Sequence, residues 1–188
     1  VDEVENICYS GGSKGADVTF GDCAAARGDR VVHYSFAGHD VCPPEHRRIL
    51  SELELHEADP QLKRANRMLR RRYPTRAPYV NNLLRRNWYQ VRNTDRVYAV
   101  SYLDERGLVK SGTGWAVTMA ALNGVKEIYL FDQDVGEWYY LVSVDEQDRS
   151  MVWEMLEEPP PKPLGRYTGI GSHDITFRGI EKIRALYA

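Results

Sequence analysis

No apolar run in the sequence approaches the ~20 residues that a membrane-spanning helix needs, which argues against an integral helical membrane protein. Cysteine is scarce. Cys8, Cys23 and Cys42 are odd in number and show no C-x-x-C spacing, which argues against a disulfide framework. The stretch Val1-Asp2-Glu3-Val4-Glu5 is acidic and lacks the basic start of a secretion signal. These features lead us to expect a reduced, cytoplasmic protein. Ser10 lacks the G-x-S-x-G elbow, so a Ser-His-Asp hydrolase has no support.

Net charge is also small, −2 over 188 residues, but it is unevenly spread. From Lys63 to Arg96 eleven residues are basic and one, Asp95, is acidic; acids dominate from Asp132 to Glu158. The basic third invites a phosphate-bearing partner, small or polymeric. For most of these arginines a solvated helix face is the better reading.

What the sequence does have is glycine in telling places. Ile7-Cys8-Tyr9-Ser10-Gly11-Gly12-Ser13-Lys14-Gly15-Ala16-Asp17 reads as a short buried strand, a glycine-rich turn and a helix. Glycines there let the backbone approach a ligand and adopt positive φ. The following helix aims its free N–H groups at that ligand, and Lys14 adds charge. An anion site is expected in preference to an empty tight turn.

The remaining chain alternates strands and helices. A helix over Asp17–Arg27 stops at Gly28, and Arg30–Phe36 is a β-branched and aromatic strand. Pro43-Pro44 suit the first turn of a helix reaching about Glu57. A second helix follows Asp59-Pro60 as far as about Arg72. A third starts near Val80, with Val80, Leu84, Trp88 and Val91 as its buried stripe. Arg96–Leu103 is a strand, Ser111-Gly112-Thr113-Gly114 a second glycine turn, and Trp115–Asn123 a helix. Lys126–Asp132 is a buried strand and Glu137–Val144 an added one. The proline-rich 157–163 segment is a stiff connector. Arg166–Ile170, the turn Gly171-Ser172-His173 and a helix over Asp174–Tyr187 complete the chain.

Three strand–glycine-turn–helix units therefore recur, at Gly11–Gly15, Gly112–Gly114 and Gly169–Gly171. Alternating β and α elements imply one α/β domain over 1–188, a Rossmann-like three-layer sandwich with a mostly parallel sheet. Ligands bind such sheets beyond the carboxyl ends of the strands, where the strand order reverses.

Ser10-Gly11-Gly12-Ser13-Lys14-Gly15-Ala16-Asp17 resembles the "SGGAxGAD" motif of YpsA-like proteins in the SLOG superfamily. That superfamily also holds the lonely-guy phosphoribohydrolases and the DNA-processing protein A family. Tyr167-Thr168-Gly169-Ile170-Gly171-Ser172 resembles the "TGIGSR" segment of the group, with His173 at the arginine position. In many relatives that segment precedes "SGG"; here it closes the chain, so the resemblance implies a circularly permuted element order. A further likeness is to the lonely-guy "RK" motif, whose arginine stands nine positions before the aspartate leading the next strand. Arg86 stands nine before Asp95. The resemblance implies that Arg86 meets the phosphoribosyl part of a substrate.

One departure bears on chemistry. The lonely-guy motif continues "GTxxE" with a catalytic glutamate, whereas no carboxylate occurs from Arg106 to Lys126. Cleaving an N-glycosidic bond calls for a placed carboxylate to stabilise positive charge or activate water. Asp17 is a candidate substitute, and capping its own helix is the preferred reading of it.

Two other constellations were weighed. His33, His39, Cys42 and His46 are zinc-type ligands in no common zinc spacing, so no metal is expected. Tyr73, Tyr79, Trp88 and Tyr89 interleave the arginines as bases-stacking residues would, but Trp88 fits a helix core, and a nucleic-acid surface is the weaker reading.

The expected function is binding of a nucleotide or nucleotide-derived phosphate ligand, with no other cofactor required. Gly11, Gly12, Lys14, Gly15, Gly112, Thr113 and Gly114 are expected to hold phosphate, Arg86 to complete the charge, and Ser10 to belong to the same ligand-binding set. Gly169, Gly171 and Ser172 are expected to line the base or ribose side. The alternative is a hydrolase of nucleoside monophosphates using Arg86 and Asp17. The resemblance is compatible with a homo-oligomer, and no feature of the sequence fixes an interface.

Overall fold

The computed structural model describes residues 4–188. It is an α/β sandwich around one eight-stranded sheet. In chain order the elements are β1 (Ile7–Ser10), α1 (Ala16–Arg27), β2 (Arg30–Phe36), β3 (Arg47–Leu50), α2 (Glu52–Glu57), α3 (Asp59–Leu69) and α4 (Pro78–Val91). Then come β4 (Arg96–Ser101), α5 (Ser111–Leu122), β5 (Glu127–Asp132), β6 (Glu137–Asp145), β7 (Ser150–Met155), β8 (Arg166–Gly171) and α6 (Phe177–Leu186). A single 3-10 turn, Pro44–His46, precedes β3. No helix among the described residues is long and apolar enough to cross a membrane.

The strand order is β3-β2-β1-β8-β4-β5-β6-β7. All neighbours from β3 to β5 pair in parallel, while β6 and β7 are antiparallel additions. The last strand thus lies in the middle of the sheet. β8 pairs with β1 (Cys8 opposite Tyr167) and with β4 (Val97 opposite Thr168). From that centre the chain builds outward in both directions, through β1 to β3 on one side and β4 to β7 on the other.

Helices cover both faces because each parallel strand needs a crossover that returns over the sheet. On one face Phe20 of α1 and Ile183 of α6 pack with Cys8, Val31, Tyr98, Val100 and Tyr167. On the other, Leu62, Leu84, Trp115 and Met119 pack with Val97, Ala99, Ile128 and Leu130. A third cluster, Tyr34, Phe36, Leu50, Leu55 and Tyr89, seats α2.

Four expectations need correction. Pro43-Pro44 start no helix; Arg47–Leu50 adds an edge strand beside β2 instead. The helix begins at Glu52, where Ser51 and Glu54 form a reciprocal capping box that satisfies two orphan donors. Gly112 and Gly114 do not form a turn: they lie in the first turn of α5. A Cβ on Gly114 would stand 1.9 Å from the Val109 carbonyl oxygen, so that glycine serves close packing. Asp174 does not open α6, which starts at Phe177 after Thr176 Oγ1 accepts from the Gly179 N–H at 3.0 Å. Gly171 is the last residue of β8 rather than the first of the turn after it. Segment 157–163 has neither helix nor strand, as its prolines require, and Tyr98 Oη donates to the Pro161 carbonyl at 2.6 Å.

Candidate functional site

A cavity of about 420 Å³ opens at the carboxyl edge of the central strands, between α4 and the start of α5. Its floor comes from the ends of β8 and β1's following turn (Ile170, Gly171, Ser172, Ser13) and from Asp17 of α1. One wall is α4, through Val80, Leu83, Leu84, Arg86, Asn87 and Gln90. The facing wall is Tyr102, Lys110 and the first turn of α5, Ser111, Gly112 and Thr113. Its volume falls within the range of small-molecule sites, and its place beside the strand where the sheet's direction of growth reverses is where α/β proteins bind ligands.

Arg86 occupies the centre. It is 5 % exposed although it belongs to an arginine-rich helix. One terminal nitrogen, Nη1, donates to the carbonyls of Gly11 and of Tyr34 (3.2 Å to the latter); Nη2 donates to Ser13 Oγ at 2.7 Å. Its buried Nε has no partner among the described residues. Asp17, 5 % exposed, turns Oδ1 to the Gly171 N–H at 3.1 Å. It lies in the first turn of α1 but does not cap that helix; it ties α1 to β8. Burial raises the Asp17 carboxyl above its ordinary value and lowers the Arg86 guanidinium below its own. In both, burial outweighs the opposite charge beside it.

The start of α5 offers a different kind of group. Lys110 precedes it in extended conformation and provides no side-chain cap, so the helix's first N–H groups lack a side-chain acceptor there. Asn87 Nδ2 donates to the Gly112 carbonyl at 3.1 Å, and Arg71 Nη1 to that of Ser111 at 2.8 Å. These bonds fix the helix start against α4 and against the segment that follows α3. Ser111, Gly112 and Thr113 of this helix start line the cavity, and a helix N-terminus favours an anion.

The sequence-derived residues divide between cavity and support. Arg86, Asp17, Gly112, Thr113, Gly171 and Ser172 line the cavity together. Ser10, Gly11, Gly12, Lys14, Gly15, Gly114 and Gly169 do not line it. The lead glycine turn is filled by protein. A Cβ on Gly12, whose φ is +66°, would meet Cys42 Cβ at 2.2 Å; one on Gly15, φ +99°, would meet the Ser172 carbonyl at 2.5 Å. A Cβ on Gly169 would strike Phe20, and Ser10 Oγ donates to the Gly169 carbonyl at 2.6 Å. Lys14 is exposed. Ser13, Asn87, Gln90, Tyr102, Lys110, His173 and Asp174 were not foreseen. The signal for two of them was available: Asn87 and Gln90 stand one and four positions beyond Arg86, so all three project to neighbouring parts of one helix face.

His33, His39, Cys42 and His46 do not assemble as a ligand set, and no group of three metal-type ligands occurs among the described residues. His39 Nδ1 is bonded to Ser35 Oγ at 2.8 Å, and its ring stacks on Phe36. Of the aromatics among the arginines, Tyr89 is buried, Tyr73 packs on Trp115 and Trp88 joins the core. Arg85 pairs with Asp59 at 2.9 Å, and Arg71 is committed to backbone carbonyls. Tyr79, 47 % exposed, is the one aromatic of the four that is exposed, where a stacking surface for a polynucleotide uses successive rings.

Family models, curated proteins and solved structures give no match to this chain.

Proposed function

We propose that the cavity binds a nucleotide or nucleotide-derived phosphate ligand, in a protein of circularly permuted SLOG type. The observation that carries the reading is the junction of Arg86, Lys110 and the uncapped start of α5 with an apolar wall, Val80 and Leu83, in one cavity of nucleotide scale. Cations and open amides suit a phosphate; the apolar wall suits a base. The short matches at Ser10–Asp17 and Tyr167–Ser172 support the family, as does the place of β8 beside β1, where the permuted order puts it. Calorimetric titration with nucleoside 5′-monophosphates and the corresponding nucleosides tests the reading. Nucleotides are expected to bind at least ten-fold more tightly, because a charge-assisted phosphate contact is worth roughly 1.5–3 kcal/mol. Equal affinity, or none, overturns it.

One observation favours a second reading, hydrolysis of the N-glycosidic bond. The carboxylate absent from the start of α5 has a counterpart in Asp17, a cavity-lining carboxyl whose proton affinity burial raises. A carboxyl so tuned suits general acid–base work. Release of free base from a nucleoside monophosphate, lost in Asp17→Asn, supports this reading; binding without release leaves the first alone.

A further inference from the structure

The wall that α4 gives the cavity changes from apolar to polar along the helix. Val80, 39 % exposed, stands at the mouth; Gln90, 1 % exposed, stands at the innermost end, about 15 Å away along the helix at 1.5 Å per residue. Leu83 and Leu84 lie towards the mouth, and Arg86 and Asn87 towards the inner end. Along this wall the apolar stretch suits a base, and the polar stretch suits the hydroxyl-bearing part of the ligand.

At that end of the wall, the Asp17 carboxyl and the Gln90 side-chain amide meet beside the Arg86 guanidinium. Asp17 commits Oδ1 to Gly171, while Oδ2 stands 2.8 Å from the point where a Cβ on Gly11 would sit. Gln90 Nε2 lies 2.5 Å and Arg86 Cζ 2.9 Å from the same point. The Gln90 backbone carbonyl is taken by Thr168 Oγ1, but its side-chain amide has no hydrogen-bond partner among the described residues. Gly11 lacks a side chain, and that absence is what lets the carboxylate and the amide converge. Both residues are more than nine-tenths buried and both line the cavity. Buried polar groups normally find partners, so an unpartnered amide beside this carboxylate implies that a ligand or water completes it.

We infer that Asp17 and Gln90 form a sugar-binding pair that selects a ligand with a free ribose diol. A vicinal diol supplies what the pair lacks: one hydroxyl donates to Asp17 Oδ2, and its neighbour accepts from Gln90 Nε2. Carboxylates hold ribose hydroxyls in this way at other α/β nucleotide sites. The 2′-deoxy sugar leaves one of these buried groups unmatched. A site built to bond a hydroxyl rejects the analogue without it more strongly than an apolar pocket rejects an extra group. This inference rests on the nucleotide reading of the same cavity.

The test uses the 5′-monophosphates of adenosine, guanosine, cytidine and uridine beside their 2′-deoxy counterparts, measured by calorimetry on the full chain. For the best-bound base, the ribonucleotide is expected to bind about ten-fold or more tightly than the deoxynucleotide. Gln90→Leu and Asp17→Asn should each bring that ratio close to one. Gln90→Leu breaks no protein hydrogen bond of the side chain, so it keeps the test open if Asp17→Asn fails to fold; circular dichroism verifies the fold of each. Equal binding of both sugars by the wild type overturns the diol pair and leaves the nucleotide reading standing. A ratio unchanged in folded Gln90→Leu overturns the assignment to these residues. Binding of no nucleotide overturns both readings at once.

Discussion

The guanidinium of Arg86, in the middle of α4, donates to the backbone carbonyl of Gly11, at the end of β1. The same group reaches Tyr34 and Ser13, so one side chain ties α4 to β2 and to the turn that follows β1. Arg86 is thus structural as well as central to the cavity. Arg86→Ala leaves two buried carbonyls without their charged donor. An expected loss of about 3 kcal/mol in unfolding free energy follows from charge-assisted bonds of this kind. Arg86→Lys keeps the charge but not the fork and recovers only part of it. Urea denaturation of the two variants measures this; a loss of about 0.5 kcal/mol or less in Arg86→Ala would show that the bonds do not hold the elements together.

Gly12 gives a second prediction, and here the position is more demanding than a ligand-facing glycine would be. Its φ of +66° disfavours any side chain, and a Cβ would overlap Cys42 Cβ. Gly12→Val should therefore unfold or strongly destabilise the protein, by about 3 kcal/mol or more, rather than merely block a ligand. Gly112, where a Cβ meets nothing within 4 Å, provides the contrast. Gly112→Ala should retain the fold, so that any loss there reports on the cavity alone. Matched melting temperatures for Gly12→Val and wild type would overturn the packing account.

Much of this fold was legible because its signals are local. Arg30–Phe36 is a run of β-branched and aromatic residues, and the strand has those bounds. Gly28, in left-handed conformation, stops α1 where expected. What was not legible depends on the partner. Arg47-Arg48-Ile49-Leu50 carries no strand signal of its own and becomes one by pairing with β2. Ser111-Gly112-Thr113-Gly114 has turn composition, yet it is helical, with Gly114 fitted against Val109. In the cavity, Arg86 was singled out by its likeness to the lonely-guy arginine, and its burial was not foreseen because a charged residue in a basic helix ordinarily faces water. Asn87 and Gln90 have no motif at all; only their phase relative to Arg86 marked them.

His33 and His39 set a third expectation, for acid stability. Burial, then the charges of His46 and Arg86, holds His33 down to about 4; burial, then Arg86 and Arg47, holds His39 down to about 4. Both start from an ordinary value of 6.5. Between pH 6.5 and about 4 the unfolded chain binds protons that the folded chain refuses. Stability is therefore full above pH 6.5 and falls as pH drops through that window, by up to about 3 kcal/mol for each histidine. Asp17 has the opposite sign: its raised folded-state affinity costs stability at neutral pH, and acid relieves that cost. A series of denaturation midpoints from pH 8 to 4 should slope down with acidity, and His39→Gln should flatten part of the slope. Midpoints that stay level or rise towards pH 4 would show that neither histidine is excluded from protonation in the folded state.

The last prediction concerns the order of the elements. β8 stands between β1 and β4, and the chain reaches it only through the irregular 157–163 segment. α6 then runs back on the α1 side of the sheet, and its end lies beside the start of β1: Tyr187 Oη donates to Tyr167 Oη at 3.0 Å, and Tyr167 pairs in register with Cys8. Gly165, just before β8, also accepts from the Ile7 N–H at 2.9 Å. A β8–α6 unit placed ahead of β1 would therefore hand the chain on at the edge where β1 begins. A gene in which a short flexible linker joins Ala188 to Val1, with new termini opened between Pro159 and Pro163, should yield a folded protein. Tyr98 loses its bond to Pro161 if the cut frees that carbonyl, so a loss of about 1 kcal/mol is expected from that site. The permutant should keep the wild-type circular dichroism spectrum and the nucleotide affinity of the uncut chain. A permutant that stays unfolded with linkers of several lengths would mean that β8 and α6 require the native connection, and would remove the structural argument for a permuted ancestry.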